Sequence, residues 1–372
     1  MAIARVEWNV WMAVIGRRLI GIEQWMEFAD KPLGMQDGYA GFAKQRRVLE
    51  STIVRHLERE GHELVSCGAF EYVETLLRAR PVGPLEQWVQ WVDASGRAVA
   101  LRPEMTPSIA RMAAPLVSSG QRSLRWSYAE RVYRRVAAPT ASLQFASGSV
   151  RESTQVGVEW IGGSGVLADV RLLELCHSAL REAGLAQAHT VLSHARIAPL
   201  FLAAVGISQG LVAQLLALLH AGKYVDFEEL AGSTPVHGGL LSALRKLRPE
   251  QPRSLEDVFV TFGKRVSPSS DLVAAWSELV ELAARMRESG LSADMTFDLT
   301  FHRDVAYYTG LIFETFAPGV GVPIALGGRY DHLLQQFGAE APAVGFAFEL
   351  EQLMEAKGMA IGWSTRAGVA SC

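Results

Sequence analysis

Two short segments of the chain carry hydrogen-bond acceptors at spacings that could bring them to one site. The segment LRPEMT contains Glu104 and Thr106 at a predicted junction between a strand and a helix. In QVGVEW, Gln155 and Glu159 share one face of a predicted strand, with Gly157 between them leaving space. Carboxylate and amide oxygens accept hydrogen bonds from an ammonium group or an imidazole N–H. These residue types therefore predict a site for a small cationic group.

Two later segments add groups that could bind the rest of such a ligand. HRDVAYYTG contains Arg303, Tyr307 and Tyr308, and GGRYD contains Arg329 and Tyr330. A guanidinium pairs with a carboxylate and tyrosine rings form aromatic walls, so the combined set suits an amino acid. The alternative is an ordinary structural role, since a single acidic residue in a strand commonly faces solvent and paired tyrosines commonly pack in a core.

The composition is that of a globular protein without a strongly charged surface. The chain has 372 residues, of which 49% are hydrophobic and 20% charged, with a formal net charge of −3 and a pI near 6.3. This length allows one large domain with an insertion, or two domains. The charge balance argues against a protein whose main task is to bind a polyanion.

The sequence predicts no metal or cofactor site and no membrane segment. Cys67, Cys176 and Cys372 lack C-x-x-C spacing, no histidines have H-x-x-x-H spacing, and neither a P-loop nor a G-x-G-x-x-G motif occurs. The apolar stretch near the start is interrupted by Glu7 and Arg17, too soon for a membrane span. The expected location is the cytoplasm, where cysteines stay reduced.

Hydrophobic spacing predicts a helix at the start of the folded region and a long helical stretch in its middle. Leu49, Ile53 and Leu57 recur every four residues and predict an amphipathic helix that Gly61 ends. A second helix is predicted from Thr106 as N-cap, with Pro107 at its first position. A third covers 166–183, and nearly all of 196–290 has helical character.

Strands are predicted on both sides of that helical stretch. A hairpin turns at 93–96, and two longer strands flank the uncharged segment 137–150. After residue 290 strands are predicted in MTFDLTF, TGLIFETFAPG, VPIALGG and PAVGFAF. We therefore expect an α+β fold whose core is formed by 29–195 and 291–358 and interrupted by an all-helical insertion at 196–290. Residues 1–28 are interpreted as a poorly ordered leader and 359–372 as a tail.

The ordered set of motifs resembles the catalytic domain of histidyl-tRNA synthetase, a class II aminoacyl-tRNA synthetase. The resemblance covers about 31–353, and its motifs are KPLGMQD, FEYVETL, LRPEMTPSIARM, YRR, QVGVEWIGG, YYTGLIFE, GGRYDHLL and PAVGFAFELEQL. It implies a six-stranded antiparallel sheet flanked by helices, and a dimer formed through the first long helix and strand.

Several departures from the synthetase pattern concern ATP and tRNA. Gln352 occupies the place of an arginine that in class II ligases holds ATP, and Val136 replaces a glutamate that helps place the adenine. The segment 137–150 is basic in the ligases but has no charged residue here, so it offers no cation to tRNA phosphates. The chain also continues only about twenty residues beyond the last motif, too few for the anticodon-binding domain that the ligases append.

Two further departures affect local geometry. The ligase signature Arg-Gly-Leu-Asp-Tyr-Tyr is here Arg303-Asp304-Val305-Ala306-Tyr307-Tyr308, which keeps the arginine and tyrosines. Gly68 replaces the proline of the first motif, which bears on the expected dimer contact.

With an amino-acid pocket retained and the ATP and tRNA features lost, the chain is identified as similar to the regulatory subunits of ATP phosphoribosyltransferase, in the first step of histidine biosynthesis. The resemblance implies a non-catalytic subunit that activates the short catalytic subunit, self-associates as a dimer, assembles as a hetero-octamer, does not bind tRNA, and mediates feedback inhibition by histidine. It also implies a histidine site formed by the residues Glu104, Thr106, Arg134, Gln155, Glu159, Arg303, Tyr307, Tyr308 and Tyr330.

By the same resemblance, Glu104, Thr106, Gln155 and Glu159 would bind the ammonium and nearby polar atoms, Arg134 and Arg303 the carboxylate, and Tyr308 and Tyr330 the imidazole. Two alternatives remain at this level. One is a divergent but active histidine–tRNA ligase, and the other is a synthetase-like amino-acid sensor with a different partner.

Overall fold

The computed structural model describes residues 35, 37–79, 85, 88–134, 152–232, 239–262, 267–303 and 305–359. The predictions for the leader, the segment 137–150, Val136, Asp304 and the tail beyond residue 359 lie outside the described residues.

Eleven strands are described in these residues. They are β1 (Glu63–Leu64), β2 (Phe70–Tyr72), β3 (Gln90–Val92), β4 (Ala98–Leu101), β5 (Leu124–Tyr133), β6 (Glu152–Ile161), β7 (His189–His194), β8 (Met295–Phe297), β9 (Leu311–Phe316), β10 (Ala325–Arg329) and β11 (Ala343–Glu349). Eight form one sheet in the order β1-β5-β6-β11-β10-β9-β7-β8. The six central strands are antiparallel, as predicted, and the short edge strands β1 and β8 add parallel pairs that the sequence did not indicate.

The described α-helices are α1 (Ala40–Arg59), α2 (Val73–Ala79), α3 (Thr106–Ser118), α4 (Gly165–Glu182), α5 (Ile197–Ala204), α6 (Gln209–His220), α7 (Tyr224–Gly232), α8 (Leu240–Lys246), α9 (Ser254–Thr261), α10 (Ser270–Glu288) and α11 (Leu350–Ala356). Helix α1 buries Leu49, Ile53 and Leu57, the stripe predicted from their spacing. Gly61 follows its end with φ of 87°, a conformation that glycine adopts without strain.

The helical stretch between β7 and β8 shares its core with the sheet. One apolar cluster contains Phe201, Leu215, Leu244 and Leu279 from this stretch together with Phe313 and other sheet residues. Helix α10 also packs on α4. The described part of this stretch consists mainly of helices α5 to α10, and their packing joins them to one face of the sheet. Its assignment as an insertion stays a prediction. A second apolar cluster, around α3, covers part of the other face.

The start of α3 differs from the prediction by one residue. The helix begins at Thr106, with Met105 as its N-cap and no side-chain cap bond, and Pro107 lies in its first turn. Thr106 does not cap the helix because its hydroxyl donates to the carboxyl of Glu159, 2.7 Å away. A site contact therefore replaces the cap that the sequence indicated.

Strands β2, β4 and β3 form a separate small antiparallel sheet with one exposed aromatic face. Phe70 and Trp91 are 59% and 40% exposed, and their rings meet edge to face with centroids 4.8 Å apart. On the opposite face Glu71 and Ala100 are buried, and Glu71 pairs with Arg111 at 2.8 Å. In the part of the chain that the structure describes, no helix has the length and apolar character required to cross a lipid bilayer.

Candidate functional site

Eight of the nine residues predicted for the site line a single cavity of about 70 Å³. They are Glu104, Thr106, Arg134, Gln155, Arg303, Tyr307, Tyr308 and Tyr330. The remaining wall is formed by Val305, Leu326, Gly345, Phe346 and Ala347. Five separated segments of the sequence thus meet at one place, which a set of unrelated solvent-facing residues would not do.

Glu159, the ninth residue, lies behind the cavity wall and binds two of the lining residues. It accepts hydrogen bonds from the hydroxyls of Thr106 and Tyr330. Burial raises the pKa of Glu159 to about 8, against the opposing effect of these donors, so the carboxyl is largely protonated at neutral pH. Its role in the structure is to orient Thr106 and Tyr330, and a ligand cation would favour its charged form.

Glycines in the sheet make room for the side chains of the site. A Cβ atom on Gly345 would lie 1.7 Å from Oε2 of Glu159, across the antiparallel register that places these residues opposite each other. A Cβ atom on Gly328 would lie 2.7 Å from the ring of Tyr308. The space beside Gly157 is likewise filled, by the hydroxyl of Tyr128. These glycines therefore admit the protein's own side chains.

Gln155 is already engaged by protein groups. Its carbonyl oxygen accepts a hydrogen bond from the Met105 N–H at 3.2 Å, and its amide donates to Glu349 at 2.9 Å. Glu349 also lies 3.8 Å from Arg134, whose Nε–H donates to the carbonyl of Pro103 at 2.8 Å. Gln155 thus fixes the loop before α3 and holds a carboxylate that the sequence reasoning missed.

Arg303 forms a buried ion pair with Glu314 of β9. Their side chains are 14% and 17% exposed, and the Nε–H of Arg303 is buried without a hydrogen-bond partner. Glu314 faces the cavity because it lies opposite Leu326 in the sheet. The arginine predicted to bind a ligand carboxylate is thus already balanced by one acid, with a donor still unused.

The tyrosines form an aromatic cluster on the cavity wall. The ring centroid of Tyr307 lies 4.9 Å from that of Tyr308 and 5.8 Å from that of Tyr330. Tyr307 donates to Glu104 at 3.3 Å. Burial raises the pKa of all three phenols above the ordinary value, so they remain hydrogen-bond donors at neutral pH.

The charges of the site favour a ligand with a cationic group and a carboxylate. Glu104 lines the cavity, and the carboxylates of Glu314 and Glu349 lie beside the guanidinium groups of Arg303 and Arg134, so three acids face two arginines, with Glu159 protonated behind the wall. The arginines can still bind an anionic group at one end, and the excess of acids attracts a cation at the other. Among the described residues, no group of His, Cys, Asp or Glu side chains has the arrangement of a metal site.

Arg329 belongs to the opposite face of the sheet from its neighbour Tyr330, although the sequence places both in GGRYD. Its guanidinium binds Asp169 of α4, with the shorter contact at 2.5 Å, and lies 2.9 Å from Glu278 of α10.

The sequence did not indicate Glu314 or Glu349 as site residues. Both could have been noticed in the sequence, because each is the single charged residue in, or at the end of, an otherwise apolar strand.

Arg102 does not line the cavity but holds the backbone next to it. Its side chain is 2% exposed and donates to the carbonyls of Cys67, Gly68 and Arg131 at 2.6, 2.8 and 2.9 Å. A fourth contact joins it to Glu130 at 2.7 Å. These bonds fix the backbone immediately before Pro103 and Glu104.

Gln352 lies on α11, outside the set of residues that line the cavity. Its amide oxygen is buried and has no hydrogen-bond partner among the described residues. A neutral amide at this position offers no positive charge to a polyphosphate.

Comparison with known proteins bears on the family and the fold. The family model described as histidyl-tRNA synthetase matches residues 34–353. ATP phosphoribosyltransferase regulatory subunits from Geobacillus sp. (strain WCH70) and Moorella thermoacetica are each 32% identical, over 88% of this chain and 81% and 82% of theirs.

Two solved structures share the fold. A chain described as a histidine–tRNA ligase subunit from Alicyclobacillus acidocaldarius is 47% identical with a TM-score of 0.79, covering 88% of this chain and 97% of that one. A chain described as an ATP phosphoribosyltransferase regulatory subunit/histidyl-tRNA synthetase from Bacillus halodurans is 28% identical with a TM-score of 0.75, covering 88% and 83%.

The fold and the match over residues 34–353 define a histidyl-tRNA synthetase-like protein with a class II synthetase fold. Within that class, the curated relatives establish that the chain belongs to the family of ATP phosphoribosyltransferase regulatory subunits.

Proposed function

We propose that this protein is the non-catalytic regulatory subunit that activates the short catalytic subunit of ATP phosphoribosyltransferase and makes it sensitive to histidine. The observation that carries the proposal is the convergence of eight predicted residues on one cavity, while Gln352 occupies the position of the ligases' ATP-binding arginine. An amino-acid pocket without the ATP contact suits a sensor better than a ligase. The names of the curated relatives support the same function.

Histidine is the ligand that best complements the cavity. Its ammonium group would be held by the acidic side, where Glu104 accepts from Tyr307, and its carboxylate by Arg134 and the unused Nε–H of Arg303. Its imidazole would lie beside Tyr308 and Tyr330. Ligand ordering of these separate segments would favour one arrangement of the complex over another, a coupling typically of about 1–3 kcal/mol.

A second candidate function is histidine–tRNA ligase activity, because the 47% identical Alicyclobacillus protein is described as a histidine–tRNA ligase subunit. That activity requires a group that balances the charge of ATP. Gln352 and Val136 stand in the place of the two nucleotide-binding residues, and the segment 137–150 offers no basic residue to tRNA. We therefore rank this function second.

The proposed assembly is a dimer that joins catalytic subunits in a hetero-octamer. Apolar side chains on α1 and the following strands are exposed in the single chain, among them Val48 (57%), Leu64 (52%) and Phe70 (59%). Such a surface is suited to burial in a dimer formed through the first helix and strand. Sedimentation of the purified chain before and after Leu64→Glu would test it, and an unchanged dimer would place the contact elsewhere.

The deciding experiment adds the purified chain to the short catalytic subunit from the same source and measures phosphoribosyl-ATP formation with and without histidine. We expect activation that histidine reverses. Glu104→Gln should retain activation and weaken the histidine response, whereas Glu256→Gln, at an exposed residue of α9, should retain both. Failure to activate, together with histidine-dependent ATP–pyrophosphate exchange by the chain alone, would establish the ligase function instead.

A further inference from the structure

A buried ionic group lies on the face of the sheet opposite the cavity. We call it the Arg329 network, formed by Asp169, His194, Glu278 and Arg329. Arg329 binds Asp169 through both nitrogens that face it, at 3.2 and 2.5 Å, and its side chain is 8% exposed. Glu278 lies 2.9 Å from the same guanidinium, and His194 lies 3.6 Å from Glu278. Three elements, α4, β7 and α10, are thus joined to β10.

The backbone of Arg329 lies between the cavity residue Tyr330 and the turn that follows Tyr308, another cavity residue. Its carbonyl accepts a hydrogen bond from the Thr309 N–H at 2.8 Å, and Thr309 donates to Asp331 at 3.0 Å. These bonds hold the turn after Tyr307 and Tyr308 against the end of β10. A Cβ atom on Gly310 would lie 2.7 Å from Nε of Arg329, so the guanidinium crosses directly over that turn.

Glu278 is the member of the network that can leave it. Its side chain is 35% exposed, whereas that of Asp169 is 2% exposed. Its Oε2 atom is close to Arg329 but has no well-aligned hydrogen bond. Release would hydrate the Glu278 carboxylate and leave the Asp169–Arg329 pair intact, so this contact between α10 and β10 can be broken without unpairing Arg329.

We propose that Arg329 couples the cavity to helix α10. A ligand that fixes Tyr308 and Tyr330 fixes the Thr309 turn and the end of β10, and with them the guanidinium to which Glu278 of α10 binds. Occupancy of the cavity then stabilises the docked form of α10, and Glu278 acts as a positioning residue. The choice of histidine as ligand rests on the proposed function; the connection through Arg329 rests on the contacts above.

The test is hydrogen exchange of the full-length chain, followed by mass spectrometry with and without histidine. In the wild type we expect histidine to slow exchange in peptides from β6 and β10 and also in 270–288. Glu278→Ala should abolish the slowing in 270–288, keep it in β6 and β10, and weaken histidine binding by about fivefold or more in calorimetry. The matched control is Glu281→Ala on the same helix, where Glu281 is exposed and pairs with Arg285 at 3.0 Å.

The outcomes separate the two proposals. Slower exchange in β6 and β10 without any change in 270–288 of the wild type would overturn the coupling and leave the histidine site standing. Persistence of the change in 270–288 in Glu278→Ala would also overturn it. No change anywhere on adding histidine would overturn the proposed ligand, and the coupling to it as well. Without ligand, Glu278→Ala should speed exchange in 305–314 relative to Glu281→Ala, a result that a purely local role of Glu278 in α10 would not give.

Discussion

Tyr330 donates a hydrogen bond to Glu159 across the strand that separates them in the sheet. Glu159 belongs to β6 and Tyr330 follows β10, with β11 between, and the bond is possible because Gly345 of β11 has no side chain to block it. The motifs QVGVEW, GGRYD and PAVGFAF therefore contribute to one contact: the first supplies the carboxyl, the second the hydroxyl that donates to it, and the third the glycine that leaves space for both. The contact also places a carboxyl of raised pKa directly behind the cavity.

The first prediction concerns the pH dependence that this carboxyl gives to stability. The pKa of Glu159 is about 8 in the folded protein and near 4.5 in the unfolded chain, so the folded state binds the proton more tightly. Its contribution is fully present below pH 4.5 and is lost as the pH rises to 8, on the order of 5 kcal/mol over that window. Glu159→Gln should therefore gain in stability relative to wild type as the pH rises.

Urea unfolding of both proteins between pH 5 and pH 9 measures this difference. Burial also lowers the pKa of His62 and His177 to about 4, which acts in the opposite direction, but both proteins share these groups and the effect cancels in the difference. A difference in unfolding free energy that stays constant across the range would show that Glu159 does not titrate in this window.

The second prediction concerns the gap at Gly345. In Gly345→Ala the new Cβ would lie 1.7 Å from Oε2 of Glu159 and 2.6 Å from the carbonyl oxygen of Val158. The strand must shift or the carboxyl must turn away from Tyr330, at a cost of about 1–3 kcal/mol in unfolding free energy. Gly41→Ala is the control, because Gly41 is an exposed residue in the first turn of α1 with no atom near the new Cβ, and it should change the unfolding free energy by at most about 0.5 kcal/mol. Equal melting temperatures of the two variants would show that the absence of a side chain at Gly345 is not required for the contact between Glu159 and Tyr330.

The third prediction separates stability from ligand binding at Arg303. Arg303→Met leaves Glu314 buried and unpaired, and should cost about 3–5 kcal/mol. The double variant Arg303→Met/Glu314→Leu removes both charges and should recover most of that stability. Neither should bind histidine with wild-type affinity, because the donor to the ligand carboxylate is absent in both. Recovery of histidine affinity together with stability in the double variant would show that Arg303 is structural only.

Much of the fold could be predicted from the sequence because it follows local patterns, whereas the set of candidate site residues came from such patterns together with the family resemblance. Period-two strands, the apolar stripe of α1 and the polar residues in apolar strands are visible in the linear sequence. The partners of those residues are not, since Glu314 meets Arg303, and Asp169 meets Arg329, only through sheet register and helix packing. For the same reason the sequence placed Thr106 as a helix cap, whereas the folded chain turns its hydroxyl to Glu159. The assignment of these residues to histidine stays a prediction.

The fourth prediction tests whether Arg102 fixes the loop that carries Glu104. The guanidinium is buried and bonded to three backbone carbonyls and to Glu130, so Arg102→Met leaves those acceptors without donors. We expect a loss of about 3–5 kcal/mol in unfolding free energy and weaker histidine binding in the protein that still folds. Arg131→Met, on neighbouring β5, is the control. Its side chain is 50% exposed and pairs with Glu152, so its loss should cost at most about 1 kcal/mol. Equal decreases of the denaturant midpoint in both variants would show that Arg102 contributes no more stability than the exposed Arg131. The position of Glu104 would then have to be set by Gln155 and Arg134 alone.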